Sequence, residues 1–161
     1  QYVSSVHDVG MTCVSDAILK KTLDLTPEEM EEIKKHPQRG AAIMRPLEFV
    51  ELVSQSIPFH HERLDGKGYP MGLRGDQIPI GSRILAVLDA YVSMVNERPF
   101  RTRLTNAEAV DELVRHSGTQ FDPRVVSAFV EVLMDEGQVE VDAFTRIADA
   151  LRTVKKHHLV P

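Results

Sequence analysis

The segment 65–81 constrains the fold of this chain more than any other stretch. It holds five glycines and two prolines, which excludes a regular helix or strand over most of its length. Long ordered loops in compact domains are usually functional. Directly before this loop stand His60, His61 and Glu62, and Asp65 opens it, so potential metal ligands border a sharply turning backbone. The sequence therefore predicts a functional site beside the loop.

Helices are predicted on both sides of that loop. Three helix starts are marked by a capping box, by a capping residue before proline, or by both: Thr26-Pro27-Glu28-Glu29, Thr105 with Glu108, and Asp122-Pro123. The strongest apolar periodicity runs from Ile80 to Val95 and predicts one long amphipathic helix, which includes Ile84 and Val92 in its apolar stripe. Strand signals are weak, with 138–141 as the one short candidate. We therefore predict an all-α fold.

Further helices are predicted over 46–56 and about 143–155. Pro37 is expected to kink or break the helix that begins near Thr26. His36 lies beside the apolar stripe of that helix, so we expect its ring to face inward.

Length and charge exclude several classes of protein. The chain has 161 residues, which suits one compact domain over 1–161. Its 19 Lys+Arg and 24 Asp+Glu give a net charge of −5, which argues against binding a nucleic-acid polymer. The only cysteine, Cys13, excludes an internal disulfide, fits a reducing compartment and is expected to be buried. No apolar run approaches the roughly 20 residues of a membrane span, so we expect a cytoplasmic location. A candidate site residue stands as early as His7, so we also expect natural sequence before Gln1.

Six histidines and aspartates are candidate metal ligands. Nitrogen and oxygen donors without a thiolate suit Fe, Mn, Zn or Ni and disfavour a closed Cys-rich zinc site. Adjacent residues on a helix point about 100° apart, so a neighbouring pair could serve two metals. Two metals about 3.5 to 4 Å apart can generate hydroxide at neutral pH and clamp a phosphodiester. The candidates are His7, Asp8, His36, His60, His61 and Asp89.

Taken singly, several candidates have plainer explanations. His36 alone fits a satisfied core residue, and Asp89 alone fits a solvated helix edge. Arg98 and Arg101 could bind a phosphate through bidentate hydrogen bonds or could lie in a solvated turn. Tyr69 could stack on a nucleobase or pack its ring against its own loop. The combination of donors with the loop favours a multinuclear hydrolytic centre.

At these motifs the chain resembles the HD-GYP subgroup of the HD-domain phosphohydrolases. The resemblance runs from about residue 6 to 134, and its most specific part is the string from His60 to Pro70. It implies an all-helical domain with two or three divalent metal ions, iron or manganese, with zinc or nickel as alternatives. Such a domain hydrolyses cyclic di-GMP to pGpG or GMP in bacterial second-messenger signalling. Its implied partners are an upstream input domain and other signalling proteins.

The resemblance also implies a role for each matched residue. The six candidate donors match metal ligands, with His7 and Asp8 as the catalytic pair, and Arg98, Arg101 and Tyr69 match positions at the substrate. The residues expected to fix the loop and support the ligands are Glu62, Asp65, Gly66, Gly68 and Pro70.

Two positions depart from the family pattern. Met11 stands where a lysine is frequent, and Val92 stands where a second aspartate is common. A lysine and an aspartate that face each other would each be left unpaired if only one were replaced, so we expect the two changes to be linked. They support a second hypothesis, a module that binds cyclic di-GMP or a protein partner with little turnover.

Overall fold

The computed structural model describes residues 6–46, 55–97 and 102–139. The chain divides into two compact units, Gln1–Leu85 and Ala86–Pro161, and the assignment of 1–161 to one domain stays a prediction. Within the described ranges no helix is both long and apolar enough to cross a membrane. Most of the predicted helix 46–56 lies outside these ranges, as do the helix 143–155 and the end of the candidate strand 138–141.

The all-α prediction is confirmed for the described residues, which form helices and contain no strand. Six α-helices lie entirely within the described residues, in chain order α1 Asp16–Leu19, α2 Pro27–Ile33, α3 His36–Met44, α4 Ile80–Val95, α5 Asn106–Arg115 and α6 Pro123–Asp135. Short 3-10 helices cover Val9–Cys13, Ile57–Phe59 and Gly75–Gln77.

The predicted helix starts are confirmed. The Thr26 hydroxyl accepts a hydrogen bond from Glu29 N at 3.3 Å, and the Glu29 carboxylate accepts one from Thr26 N at 2.7 Å. Thr105 and Glu108 repeat this capping box at α5. The Asp122 carboxylate accepts from Arg124 N at 2.8 Å and caps α6. Each cap satisfies amide groups that have no partner within the helix, so these boundaries follow from residues only two or three positions apart.

Pro37 breaks the helix that begins at Pro27. α2 ends at Ile33, and α3 begins at His36 with Pro37 in its first turn. A proline is tolerated there because its missing N–H would have no partner in the first turn of a helix. As expected, His36 is buried.

In the first unit, α3 packs closely against the segment Val9–Cys13. A Cβ atom on Gly10 would lie 2.0 Å from His36 O and 2.6 Å from Gly40 N, so only glycine allows the two backbones to approach this closely. Met44 and Ile57 form a small buried core beside this contact, with Val9 packed against it. Asp8 lies two residues before Gly10, so this close backbone contact places Asp8 near the start of α3.

In the second unit, α5, α6 and the part of α4 from Ala86 onward form the larger core, whose buried members include Val87, Tyr91, Leu113 and Val130. The apolar stripe of α4 is narrower than predicted, because Ile84 and Val92 are exposed, as is Ile80. Ile84 and Val92 each adjoin a buried residue in sequence, Leu85 and Tyr91, and consecutive helical residues point about 100° apart.

The expectation that Cys13 is buried is wrong. The residue closes the 3-10 helix Val9–Cys13 on an exposed face.

We predict that Gly10→Ala lowers the free energy of unfolding by about 1–3 kcal/mol, because its Cβ would force apart two backbones. Gly40→Ala provides the matched comparison across the same contact. Its Cβ would meet its nearest atoms at 3.3 Å, and alanine favours the helix by about 1 kcal/mol, so a smaller loss is expected. Urea unfolding of both variants measures the difference. Equal stability of Gly10→Ala and the unaltered chain would contradict the close approach.

Candidate metal centre

His36 and His60 are held in the same way. They are 3% and 1% exposed, and their Nδ1 atoms lie 2.9 Å from Ile33 O and 2.7 Å from Ile57 O, respectively. A carbonyl oxygen only accepts hydrogen bonds, so each Nδ1 carries a proton and donates it. In the neutral imidazole this leaves a lone pair on Nε2. Metal-ligating histidines are commonly oriented by such a bond from the other ring nitrogen.

Both Nε2 atoms face the carboxylate of Asp8. The distances to Asp8 Oδ1 are 3.2 Å from His36 and 3.6 Å from His60, yet neither buried Nε2 makes a hydrogen bond of normal geometry. When the rings of His36 and then His60 also carry a proton on Nε2, they lower the pKa of the Asp8 carboxyl well below its usual range. With or without that proton, the carboxyl is ionised at neutral pH. Buried lone pairs that converge on a carboxylate suit a cation among them, and the donor set therefore fits a divalent metal.

His61 completes this group. One ligand atom from each of Asp8, His36, His60 and His61 lies within 4.8 Å of all the others. The ring centroid of His61 is 4.0 Å from that of His60 and 5.0 Å from that of His36. Both members of the predicted His-His pair therefore contribute to the same group of donors.

His7 lies on the other side of the Asp8 carboxylate. Its Nε2 is 3.4 Å from Asp8 Oδ2, and its ring centroid is 5.2 Å from that of His60. Asp8 thus turns Oδ1 toward His36 and His60 and Oδ2 toward His7. The Asp8 carboxylate therefore has imidazole nitrogens beside both of its oxygens.

Hydrogen bonds to the Glu62 carboxylate hold the long loop against the segment that contains His60 and His61. This carboxylate is 3% exposed and accepts hydrogen bonds from Met71 N at 2.6 Å and Leu73 N at 3.0 Å. A Cβ on Gly68 would lie 2.5 Å from Glu62 Cα and 2.6 Å from His61 O, so the loop backbone folds tightly onto the residues that precede it. Glu62 therefore holds the loop in position next to His60 and His61.

Asp65 shapes the first turn of the loop. Its carboxylate accepts from Arg63 Nε at 3.1 Å and Nη2 at 2.8 Å, and from Lys67 N at 3.0 Å. The hydrogen bonds from Arg63 lower the pKa of Asp65 to about 2. Gly66 follows in the left-handed region with φ of 75°, and the Tyr69–Pro70 peptide is cis. Asp65 is thus occupied by the turn and is not a member of the His36 donor group.

The ring of Tyr69 lies against His61. Their centroids are 4.9 Å apart and their planes differ by 26°, which is a stacked arrangement. The Lys34 ammonium lies over the Tyr69 ring, 5.9 Å from its centroid. Of the two roles considered for Tyr69, this geometry favours packing within its own segment.

The other predicted site residues are placed as follows. Asp89 lies partly buried on α4, in the second unit. Arg98 and Arg101 lie outside the described residues. Met11 is partly buried and donates its backbone N–H to Asp8 O at 2.8 Å.

Sequence reasoning missed three contributors to the site. One is Gly10, whose signal was a glycine two residues after Asp8. The others are the carbonyls of Ile33 and Ile57, which precede His36 and His60 by three residues each. The available signal for these carbonyls was a repeated Ile-x-x-His spacing. The pattern is short, and it does not indicate a hydrogen bond unless the backbone turns the carbonyl toward the ring.

Comparison with known proteins agrees with this geometry. Residues 3–125 match the HD domain family. The chain is 38% identical over 134 residues to a cyclic di-GMP phosphodiesterase of Thermotoga maritima, covering 82% of this chain and 36% of the relative. It is 38% identical over 143 residues to a cyclic di-GMP phosphodiesterase of Pseudomonas aeruginosa, covering 88% and 34%. A 3'3'-cGAMP-specific phosphodiesterase of Vibrio cholerae is 32% identical over 130 residues, covering 80% and 25%.

A crystal structure of cyclic GMP-AMP-specific phosphodiesterases from Vibrio cholerae shares the fold, with a TM-score of 0.64 at 20% identity, over 92% of this chain and 42% of that one. The chain spans about a third of the length of the first two relatives. The family match covers most of the chain and includes the first-unit donor group, and the resemblance seen in the motifs agrees with it. This chain therefore belongs to the HD-domain family, in its HD-GYP subgroup.

Proposed function

We propose that this chain is a metal-dependent phosphodiesterase domain that hydrolyses cyclic di-GMP to pGpG or GMP. The observation that carries the proposal is the convergence of the buried Nε2 atoms of His36 and His60, together with His61, on the ionised carboxylate of Asp8. Two relatives at 38% identity are named cyclic di-GMP phosphodiesterases, whereas the relative named for 3'3'-cGAMP is 32% identical. These identities favour cyclic di-GMP as the substrate.

Two divalent ions are proposed at the Asp8 carboxylate. Asp8, His36, His60 and His61 would hold one ion, and Asp8 with His7 would hold a second. Asp89 is retained as a further proposed ligand because of the sequence resemblance. Imidazole and carboxylate donors suit iron or manganese. When bound, such ions activate water at neutral pH and neutralise charge on a phosphodiester.

The chain's own residues then have distinct tasks. Because its pKa is strongly lowered, Asp8 stays anionic and keeps the two donor sets together. The Nδ1 bonds of His36 and His60 present Nε2 and not Nδ1 to the site. Arg98 and Arg101 are proposed to hold the substrate phosphates, since planar guanidinium groups bind phosphate through paired hydrogen bonds.

We further propose that this domain serves as the output part of a longer signalling protein. The matched region makes up only 34–36% of the first two relatives, which supports the presence of additional domains. An input domain and other signalling proteins are its proposed partners.

The function is tested with protein loaded anaerobically with Fe(II) or Mn(II). Conversion of cyclic di-GMP to pGpG or GMP is expected, and His61→Ala should lower kcat/KM by at least about 100-fold, because loss of an electrostatic group at a site costs on the order of 10²–10³ in rate. His116→Ala is the matched control, since His116 pairs with Glu112 on α5 and lies outside the His36 donor group. Product is measured by chromatography. Absence of turnover with both metals, or full activity of His61→Ala, would reject the proposal.

A second prediction concerns Met11 and Val92. Met11→Lys together with Val92→Asp is expected to raise kcat, by up to about 10²–10³ if the lysine stabilises developing negative charge. Met11→Lys alone should give less, because an unpaired cation beside metal ions is unfavourable. Metal content is measured alongside kcat. An unchanged kcat at equal metal content would show that these positions do not limit the rate.

A further inference from the structure

We propose that Tyr69 is a positioning residue for His61, which it holds in the orientation needed for metal binding, and is not a platform for a nucleobase. The inference rests on the metal centre proposed above. It assigns a role within that centre to the aromatic residue of the loop.

The Tyr69 ring is placed to limit rotation of the His61 imidazole. The two planes lie within 26° of each other at a centroid distance of 4.9 Å. The ring of His36, by contrast, meets His61 edge-on, at 77° and 5.0 Å. A flat neighbour resists turning of an imidazole about its terminal bond, since rotation would drive the ring edge into the face beside it. Tyr69 therefore supplies the parallel wall that selects one orientation of His61.

Tyr69 is itself fixed from both sides of the loop. Its backbone N–H donates to His61 O at 3.2 Å, directly beside the ring it covers. Just after it, Met71 N and Leu73 N donate to the buried Glu62 carboxylate. Just before it, Gly68 passes so close to Glu62 and Arg63 that no side chain fits there. These hydrogen bonds and close backbone contacts within the loop thus hold the Tyr69 ring in place against His61.

The Tyr69 ring also has a cationic neighbour. Lys34, the residue after α2, lies over the ring at 5.9 Å, and its ammonium contacts the Glu31 carboxylate at 2.6 Å. A cation over an aromatic face is attracted to it. The ring is therefore engaged by an imidazole and an ammonium within the first unit. A nucleobase that stacked on the face turned to His61 would have to displace a proposed metal ligand.

The test measures metal binding without substrate. Mn(II) is titrated into metal-free Tyr69→Leu, Tyr69→Phe and Met71→Ala by calorimetry, and Co(II) absorption spectra report the ligand geometry. Tyr69→Leu is expected to raise the Mn(II) Kd by about 10- to 100-fold, the range typical for loss of a group that orients a ligand, and to alter the Co(II) bands. Tyr69→Phe keeps the aromatic ring, so its Mn(II) Kd and Co(II) bands should match those of the unaltered protein. Met71→Ala removes an exposed side chain of the same loop and should change neither.

The outcomes separate the positioning role from the proposed function. If the unaltered protein binds no Mn(II), the metal centre and the role of Tyr69 fall together. If it binds Mn(II) and Tyr69→Leu has the same Kd and Co(II) spectrum, the positioning role alone is overturned. A raised KM for cyclic di-GMP with an unchanged metal Kd would instead support a nucleobase platform. A Tyr69→Phe variant as weak as Tyr69→Leu would also overturn the role of the ring. Should Tyr69→Leu fail to fold, Tyr69→Met, whose flexible side chain fills irregular space, takes its place.

Discussion

The donor group depends on two hydrogen bonds from imidazole to backbone, His36 Nδ1 to Ile33 O and His60 Nδ1 to Ile57 O. They decide the tautomer of each ring and the atom that faces Asp8. Both acceptors belong to the main chain, three residues earlier, so they are as rigid as the turns that contain them. Ile57 is completely buried, which anchors one of the two carbonyls in the core. Orientation of the ligands is therefore a property of the local backbone and not of exchangeable side chains.

His61 is supported differently, through the long loop. Burying the Glu62 carboxylate is unfavourable unless hydrogen bonds replace its water, and the amides of Met71 and Leu73 provide two. These bonds close the loop over the His60 segment and bring Tyr69 onto His61. The glycine-rich loop 65–81 thus has one defined conformation. Its glycines allow the turns, and the hydrogen bonds to the buried Glu62 carboxylate select a single course of the backbone. Functional residues commonly lie on loops that a rigid scaffold holds in position.

The departures at Met11 and Val92 leave the donor group intact. Asp8, His36, His60 and His61 converge without a lysine at position 11, and Val92 lies exposed on α4. Formation of the donor group and the rate of the proposed hydrolysis are thereby separate properties. Metal binding follows from ligand geometry, whereas the rate depends on further charges near the reacting phosphate.

The sequence by itself determined the helix starts and the types of donor, because these depend on short-range chemistry. The Thr26 and Thr105 capping boxes join residues three positions apart, and imidazole and carboxylate groups remain metal donors wherever they lie. Tertiary structure alone decided that the His36 and His60 imidazoles converge on Asp8, that Gly10 lets α3 approach closely, and that Tyr69 stacks on His61. It also corrected the apolar stripe of α4, in which Ile84 and Val92 are exposed. The contacts could not be deduced from the sequence because they join segments that are distant along the chain. The exposure of Ile84 and Val92 could not be deduced because the core covers the adjacent residues Leu85 and Tyr91 instead. His60 and His61 were recognisable as candidate ligands from the outset, but their convergence with Asp8 and His36 exists only when Asp8, α3 and the loop pack together.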